Sequence, residues 1–277
     1  MTDNFFISPY MIGGLGNQMY MIATAHSYSL DHEIPMIANK VDKVPSYGNP
    51  RPTYWNTMFH KVKLHNINQQ LPFIKETQLS QKITCSSYLD KYCQNVDYFH
   101  HNYNAILELF KLPNDMENKV DSIYKNIVEQ FNENTISVHV RKEDNSSNNI
   151  SGQYKEIMPI EFFLSAMDQC DENSTFVILT NNVEYCKSHF GKYKNIYYAE
   201  EEDYIELKLM SKCRDHIMPP STFSWWGVYL NTNQNKKIYV PNPKSIIQNN
   251  YNQKEFHCNF HKTLFQRFKN IIKINFS

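Results

Sequence analysis

No apolar run in this 277-residue chain approaches the roughly 18–20 residues of a membrane span. The amino terminus has no charged-then-apolar leader, so a soluble, cytoplasmic chain is expected. Net charge is missing too, because 28 basic residues balance 28 acidic ones. Without a global field nothing draws nucleic acid or an anionic membrane, and an anionic ligand must be held by a local constellation. The cysteines Cys85, Cys93, Cys170, Cys186, Cys213 and Cys258 contain no C-x-x-C pair and no repeated spacing. They read as reduced core thiols of a reducing compartment. No D-x-D occurs, and Glu201-Glu202-Asp203 reads as an acidic helix start rather than a metal site. His257-Cys258-x-x-His261 lacks an evident fourth ligand and is expected on a surface helix, and His100-His101 in an exposed turn. No metal and no cofactor are expected.

What the chain does have is aromatic side chains, 19 Tyr and 17 Phe, which suit both a core and a sugar-facing surface. It opens with an apolar run, Phe5 to Ile12, then Gly13-Gly-Leu-Gly16 and a helix from Asn17 with Met19, Ile22, Ala23 and Leu30 on one side. A short strand is predicted at 34–38. Prolines at 45, 50, 52 and 72 make 39–83 irregular. A helical stripe then runs through Met116, Val120, Ile123, Tyr124, Ile127, Val128 and Phe131.

From there strands at 135–140, 176–180, 196–198, 216–218 and 237–240 alternate with helices at 159–170, 183–190, 202–213 and 222–231. Such alternation predicts a parallel sheet covered on both faces. A last helix is predicted at 262–272, burying Leu264, Phe265, Phe268, Ile271 and Ile272. The fold class is therefore α/β, with a less regular domain over 1–133 and a Rossmann-like domain over 134–277, expected to pack around a cleft.

Three segments carry chemistry. Ser221-Thr222-Phe223-Ser224-Trp225-Trp226-Gly227 places hydroxyls where a strand hands over to a helix, with Ser221 or Thr222 as the N-cap. Backbone amides and the helix dipole suit an anion there, and a capped helix with a tryptophan-rich buried face is the alternative. Ser137-Val-His-Val-Arg-Lys-Glu-Asp144 ends a strand, where open α/β sheets place ligands. Arg141 offers a bidentate fork to phosphate, Lys142 a point charge and Asp144 a general base; a solvated charge run is the plainer alternative. Gly13-Gly14-Leu15-Gly16-Asn17-Gln18 permits a tight turn and close approach of a ligand. It is neither G-x-G-x-x-G nor a P-loop, and serves equally as a strand–helix turn.

Taken in order, Gly-Gly-Leu-Gly-Asn-Gln-Met, His-x-Arg-Lys-x-Asp and Leu-Met-Ser-x-Cys…Ser-Thr-Phe-Ser-Trp-Trp-Gly resemble the α-1,2-fucosyltransferases, family 11 of the glycosyltransferases, over residues 11–245. The resemblance implies a GT-B fold with 1–133 as the acceptor-side domain and 134–277 as the GDP-sugar-binding domain, GDP-β-L-fucose as donor, inverting transfer to a glycan or lipid-linked oligosaccharide, and no obligatory metal. It implies that Arg141 holds the β-phosphate and His139 contacts the guanine side. Thr222, Phe223 and Ser224, beside Ser221, complete the diphosphate cradle. Asn17, with Gly14 and Gly16, faces the donor, and Glu206 stands where relatives carry an aspartate directed at guanine. Asp144 is the expected base and Glu143 the second candidate. Trp225 and Trp226 are expected to pack the helix rather than touch the sugar.

The chain departs from the family pattern at Lys142, Asn145, Asn181-Asn182 and Glu206. Lys142 keeps the charge of the usual arginine without its fork. The asparagines bear on acceptor choice or loop structure and leave room for another GDP-sugar or linkage. An inactive carbohydrate-binding relative is a reading from another class. A dinucleotide oxidoreductase is disfavoured, since no acidic ribose ligand is convincingly placed after Gly16.

Overall fold

The computed structural model describes residues 5–46, 49–90, 92–141, 158–248 and 268–276. The chain forms two compact units, 1–117 and 118–277. This division gives most of one helix, expected in the first domain, to the second unit.

The first unit begins with strand β1 (Ile7–Pro9), which stops at a proline lacking an N–H. Helix α1 (Leu15–His32) follows. Its residues through Ala25 are almost all buried, and it ends at Glu33 in the left-handed region (φ 53), whose N–H bonds the Ser29 carbonyl. Met19, Ile22 and Ala23 are core residues as the periodicity predicts, but Leu30 lies past the buried stretch and is exposed. The irregular region and its flanks hold strands of two or three residues: β2 (Ala38–Asn39), β3 (Lys43–Val44), β4 (Arg51–Pro52), β5 (Leu64–His65), β6 (Phe73–Ile74) and, past its end, β7 (Ser87–Leu89). The short helix α2 (Tyr103–Leu109) closes the unit.

β7 lies between β1 and β6, all parallel. On the other side of β1, a parallel bridge from Ile7 to Met36 leads to the parallel pair β2 and β5. The strand predicted at 34–38 is thus a bridge at Met36 and two strand residues further on. The chain leaves β1 toward β2 on one side and returns on the other as β7, which makes the carboxyl end of β1 a topological switch point.

The second unit is regular. Helix α3 (Asn114–Gln130) leads into β8 (Thr135–Val140), α4 (Ile160–Met167), β9 (Thr175–Thr180), α5 (Val183–Phe190) and β10 (Ile196–Tyr198). Then come α6 (Asp203–Lys212), β11 (Asp215–Ile217), α7 (Thr222–Leu230), β12 (Ile238–Pro241), α8 (Pro243–Gln248) and β13 (Ile271–Ile274). Six parallel strands stand in the order β10-β9-β8-β11-β12-β13. Phe162 and Phe163 of α4 and Cys186 and Phe190 of α5 pack on one set of strand side chains. Ile127 of α3 and Leu209, Met210 and Cys213 at α6 pack against Val177 and Leu179, from the opposite face of β9. The sheet is doubly wound, as the alternation predicts.

The last predicted helix is not observed as such. Ile271 and Ile272 belong to β13, paired with Ile238 and Tyr239 of β12, not to a helix. The β-branched run satisfies its backbone on the sheet edge, and a short apolar run does not by its spacing distinguish strand from helix. The remainder of that predicted helix up to residue 267 lies outside the described residues, as do His257, Cys258 and His261. Among the described residues no helix is long and apolar enough to cross a membrane. No disulfide joins the described cysteines.

Candidate functional site

In the second unit β8 has β9 on one side and β11 on the other. The chain leaves β8 in one direction and returns on the other, so a crevice forms at the carboxyl ends of β8 and β11. Both chemistry-bearing segments end there. β8 delivers His139 and, just past its end, the exposed Arg141. β11 leads through Pro219 and Pro220 to Ser221, whose extended backbone (φ −144, ψ 132) makes it the N-cap of α7. Its side chain accepts no capping bond. The first-turn amides of α7 thus point out of the carboxyl edge, which is where a helix terminus favours an anion.

The two segments are bonded directly. His139 Nδ1 lies 2.6 Å from Ser224 Oγ, and the imidazole sits against the Phe223 ring, with centroids 4.9 Å apart. Burial, then the nearby Arg141 charge, pushes the His139 pKa down to about 3. The ring is neutral, and its bond to Ser224 fixes its orientation. Ser224 is fully buried. Its hydroxyl is therefore spent on positioning His139, while Ser221 and Thr222 stay partly exposed.

Three features hold α7 in place. Trp225 and Trp226 are both fully buried, Trp225 stacking on Tyr229 with centroids 4.7 Å apart. A β-carbon at Gly227 would come within 2.8 Å of Met210 Cβ, so α7 approaches α6 more closely than any side chain there permits. At the far end, Asn231 Nδ2 donates to the Cys213 carbonyl (2.6 Å) and to His216 Nε2 (2.8 Å), while its Oδ1 accepts from Asn233 N. Nε2 being an acceptor, the proton of this neutral imidazole is on Nδ1 and is donated to Ser137 Oγ at 2.7 Å. Burial lowers the His216 pKa to about 3. Ser137, His216 and Asn231 thus lock β8, β11 and the end of α7 together. Only polar types at buried strand positions hinted at this network in the sequence.

Glu206 stands one turn before Met210 on the same face of α6, and Phe223 one turn before Gly227 on the same face of α7. Both helices return from the carboxyl edge of one parallel sheet and so run the same way. Glu206 and Phe223 therefore both lie toward the carboxyl-edge ends of their helices, counted from the Met210–Gly227 contact. Burial above all, with Asp203 and Glu201 adding repulsion, raises the Glu206 pKa to about 7; the Glu201 N–H opposes the shift. A carboxyl group poised near neutrality is a mark of functional sites.

In the first unit Gly13 is left-handed (φ 78), and its missing side chain leaves room for Asn17 Nδ2. A β-carbon at Gly14 would meet no protein atom within 4 Å, so packing does not require glycine there. Gln18 Nε2 ties the turn down by donating to the Gly13 and Pro52 carbonyls, and Gln94 Nε2 donates to Asn17 Oδ1. Gly16 is buried at the start of α1.

Lys142, Glu143, Asp144 and Asn145 lie outside the described residues. Asn182 caps α5 by accepting from Tyr185 N at 3.0 Å, which makes it a loop-structuring residue. An open hollow of about 590 Å³ beside α4, Lys244 and Phe276 contains none of the expected site residues. Among the described residues no cluster of three or more His, Cys, Asp or Glu side chains is arranged to hold a metal.

The family model of glycosyl transferase family 11 matches residues 10–263. The O-antigen biosynthesis glycosyltransferase WbnK of Escherichia coli is 28% identical over 162 residues, 55% of this chain and 53% of that protein. An α-1,2-colitosyltransferase of Escherichia coli is 28% identical over 109 residues, 35% of this chain and 36% of that protein. The matches thus span about half of one relative and a third of the other. Fucosyltransferase NodZ from Bradyrhizobium superposes with a TM-score of 0.58 at 12% identity, covering 82% of this chain and 93% of that one. A point mutant of Arabidopsis thaliana FUT1 in complex with GDP gives 0.52 at 14% identity, covering 86% and 70%. At these identities the structural likeness establishes the fold, GT-B-like α/β with parallel sheets. This chain belongs to glycosyl transferase family 11.

Proposed function

We propose that this chain transfers L-fucose from GDP-β-L-fucose to a sugar hydroxyl of a glycan or lipid-linked oligosaccharide, with inversion and in α-1,2 linkage. The observation that carries the reading is the junction of β8 and α7. It brings the end of β8, where Arg141 stands, to the same sheet edge as the first-turn amides of α7, with His139 neutral through burial and oriented by Ser224. As the bond between fucose C1 and the β-phosphate oxygen breaks, negative charge grows on GDP. An arginine and a helix N-terminus stabilise that charge more in the transition state than in the ground state. Lys142 adds charge, and no metal takes part. Neutral His139 and Glu206 flank the nucleoside side, where a guanine edge offers N–H groups to a carboxylate. Asp144, or Glu143 in second place, takes the acceptor hydroxyl proton on the face opposite GDP, and the acceptor oxygen bonds to C1.

A second donor, GDP-colitose, is favoured by the relative that carries colitosyltransferase in its name. Incubation with either GDP-sugar, followed by NMR of the product linkage, separates the two. Arg141→Ala is expected to lower transfer by about 100-fold. GDP-fucose that is neither bound nor hydrolysed, with Arg141→Ala indistinguishable from wild type, sinks the proposal.

A further inference from the structure

A second candidate site lies in the first unit, at the carboxyl end of β1. Among the described residues only three large hydrophobic side chains are exposed, and two of them touch: Tyr10 (41%) and Phe73 (50%), with ring centroids 5.2 Å apart. Tyr88 completes the group, 5.7 Å from Tyr10 and 5.6 Å from Phe73. Exposed aromatic rings that cluster rather than scatter mark an interaction site. Beside them is a hollow of about 160 Å³ whose wall includes Pro9, Tyr10, Met11, Asn39, Lys43 and Tyr88. It sits at the switch point of the small sheet, where α/β folds receive ligands.

Three side chains of this wall keep their polar ends uncommitted. Among the described residues the hydroxyls of Tyr10 and Tyr88 make no hydrogen bond, and Lys43 faces no carboxylate. Asn39 Oδ1 accepts from Ile67 N at 3.0 Å, which fixes the amide and leaves Nδ2 as its remaining donor. The hollow is held in shape from behind, since Gly13 N donates to the Pro45 carbonyl at 2.8 Å and Pro45 is part of the wall.

These features select an occupant. The volume is well under the ~300–1,000 Å³ of a drug-sized ligand site, so one ring fits and a nucleotide does not. The negative faces of aromatic rings attract the weakly positive C–H groups on the flat side of a pyranose. Fixed amide, ammonium and phenol groups match its hydroxyls. Tyr10 stands at 74° to Phe73 and 77° to Tyr88, so the cluster offers no parallel slot for a planar base.

We infer that Tyr10, Tyr88, Asn39 and Lys43 seat one pyranose ring of the acceptor glycan, with Phe73 bracing Tyr10. This rests on the glycosyltransferase reading above for the role of that sugar, not for its binding. The test uses the full chain with lactose, N-acetyllactosamine and methyl β-D-galactopyranoside. Saturation-transfer NMR and transfer kinetics are measured for wild type, Tyr10→Ala, Tyr10→Trp and Lys43→Ala, with thermal melts as a check on folding.

Tyr10→Ala is expected to raise the acceptor KM about tenfold. GDP affinity, GDP-fucose hydrolysis and the melt stay unchanged, and Tyr10→Trp restores the KM. An acceptor KM indifferent to both Tyr10→Ala and Lys43→Ala overturns the seat. So does saturation transfer from none of the three sugars, or a parallel loss of GDP affinity. If saturation transfer is present and Tyr10-dependent while GDP-fucose is never turned over, the seat stands and the proposed activity falls.

Discussion

At the carboxyl edge of the large sheet the polar side chains are tied to one another. His139 meets Ser224, and His216 is held between Ser137 and Asn231, with two buried tryptophans behind them. At the carboxyl end of β1 the reverse holds: the two phenols and Lys43 border a hollow with no hydrogen-bond or ion-pair partner among the described residues, and Asn39, held through its Oδ1 by Ile67 N, keeps its Nδ2 as a donor. A diphosphate is recognised by charge and by amides whose position must not vary, so rigidity is useful and second-tier bonds supply it. A neutral sugar offers many weak hydroxyl contacts and one apolar face, and uncommitted groups suit that ligand. The same α/β plan thus supports a locked site in one unit and an open one in the other.

Acid should break the locked site first. His139 and His216 have folded pKa values near 3, below the ordinary histidine value of 6.5, so the unfolded chain takes up their protons before the folded one does. Their contribution is fully present above pH 6.5 and is lost as pH falls toward 3, by up to about 1.4 kcal/mol per pH unit for each ring. Urea titrations at pH 7, 5 and 4 should show stability falling steadily, and His216→Phe should flatten that slope. A slope unchanged by the substitution refutes the account.

Next in size, Trp226→Ala should cost about 3–5 kcal/mol, because a fully buried indole is replaced by a cavity. The exposed Tyr10→Ala should leave the melting temperature nearly unmoved. A stable Trp226→Ala protein with altered donor choice would show instead that the indole touches the sugar. Gly227→Ala is expected to cost about 1–3 kcal/mol by driving α7 away from Met210. Its transfer rate should fall further than its stability explains, since Phe223 and His139 move with the helix. Pairing it with Met210→Ala, which vacates that space, should recover part of the loss.

The smallest effect concerns Glu206. With a pKa of about 7 it is largely protonated in mildly acidic solution, and a ligand that donates N–H groups to the carboxylate must displace that proton. GDP binding measured calorimetrically should weaken a few-fold per pH unit below 7, within the tenfold limit set by one proton. The slope should disappear in Glu206→Gln. If it persists, the proton belongs to another group.

Much of the second unit could be read from the chain. The limits of β8, β10 and α5 coincide with the predicted spans, because helices there alternate with short apolar strands and each period is sampled long enough. The first unit resisted because β2 to β6 contain two residues each, too few for any alternation to register. At the chain's end, Phe268, Ile271 and Ile272 mimic helical spacing, yet the two isoleucines pair with β12. The positions of the expected site residues were legible to different degrees for similar reasons. Arg141 and Ser221 lie at element ends that local pattern marks, whereas nothing local separates a phosphate-facing Ser224 from one turned inward to His139.

By itself the sequence determined the family, the succession of strands and helices from α3 to β12, and which chemistry stands at the end of β8 and the start of α7. These follow from side-chain periodicity, capping and residue type, all of which act within a turn or two of the chain. Tertiary structure alone decided that His139 meets Ser224 across 85 positions, that two imidazoles stay neutral, and that Gly227 serves Met210. It also gathered Tyr10, Phe73 and Tyr88 around one hollow. Those facts depend on which strands become neighbours and what their burial excludes, and both are settled only when distant segments pack together.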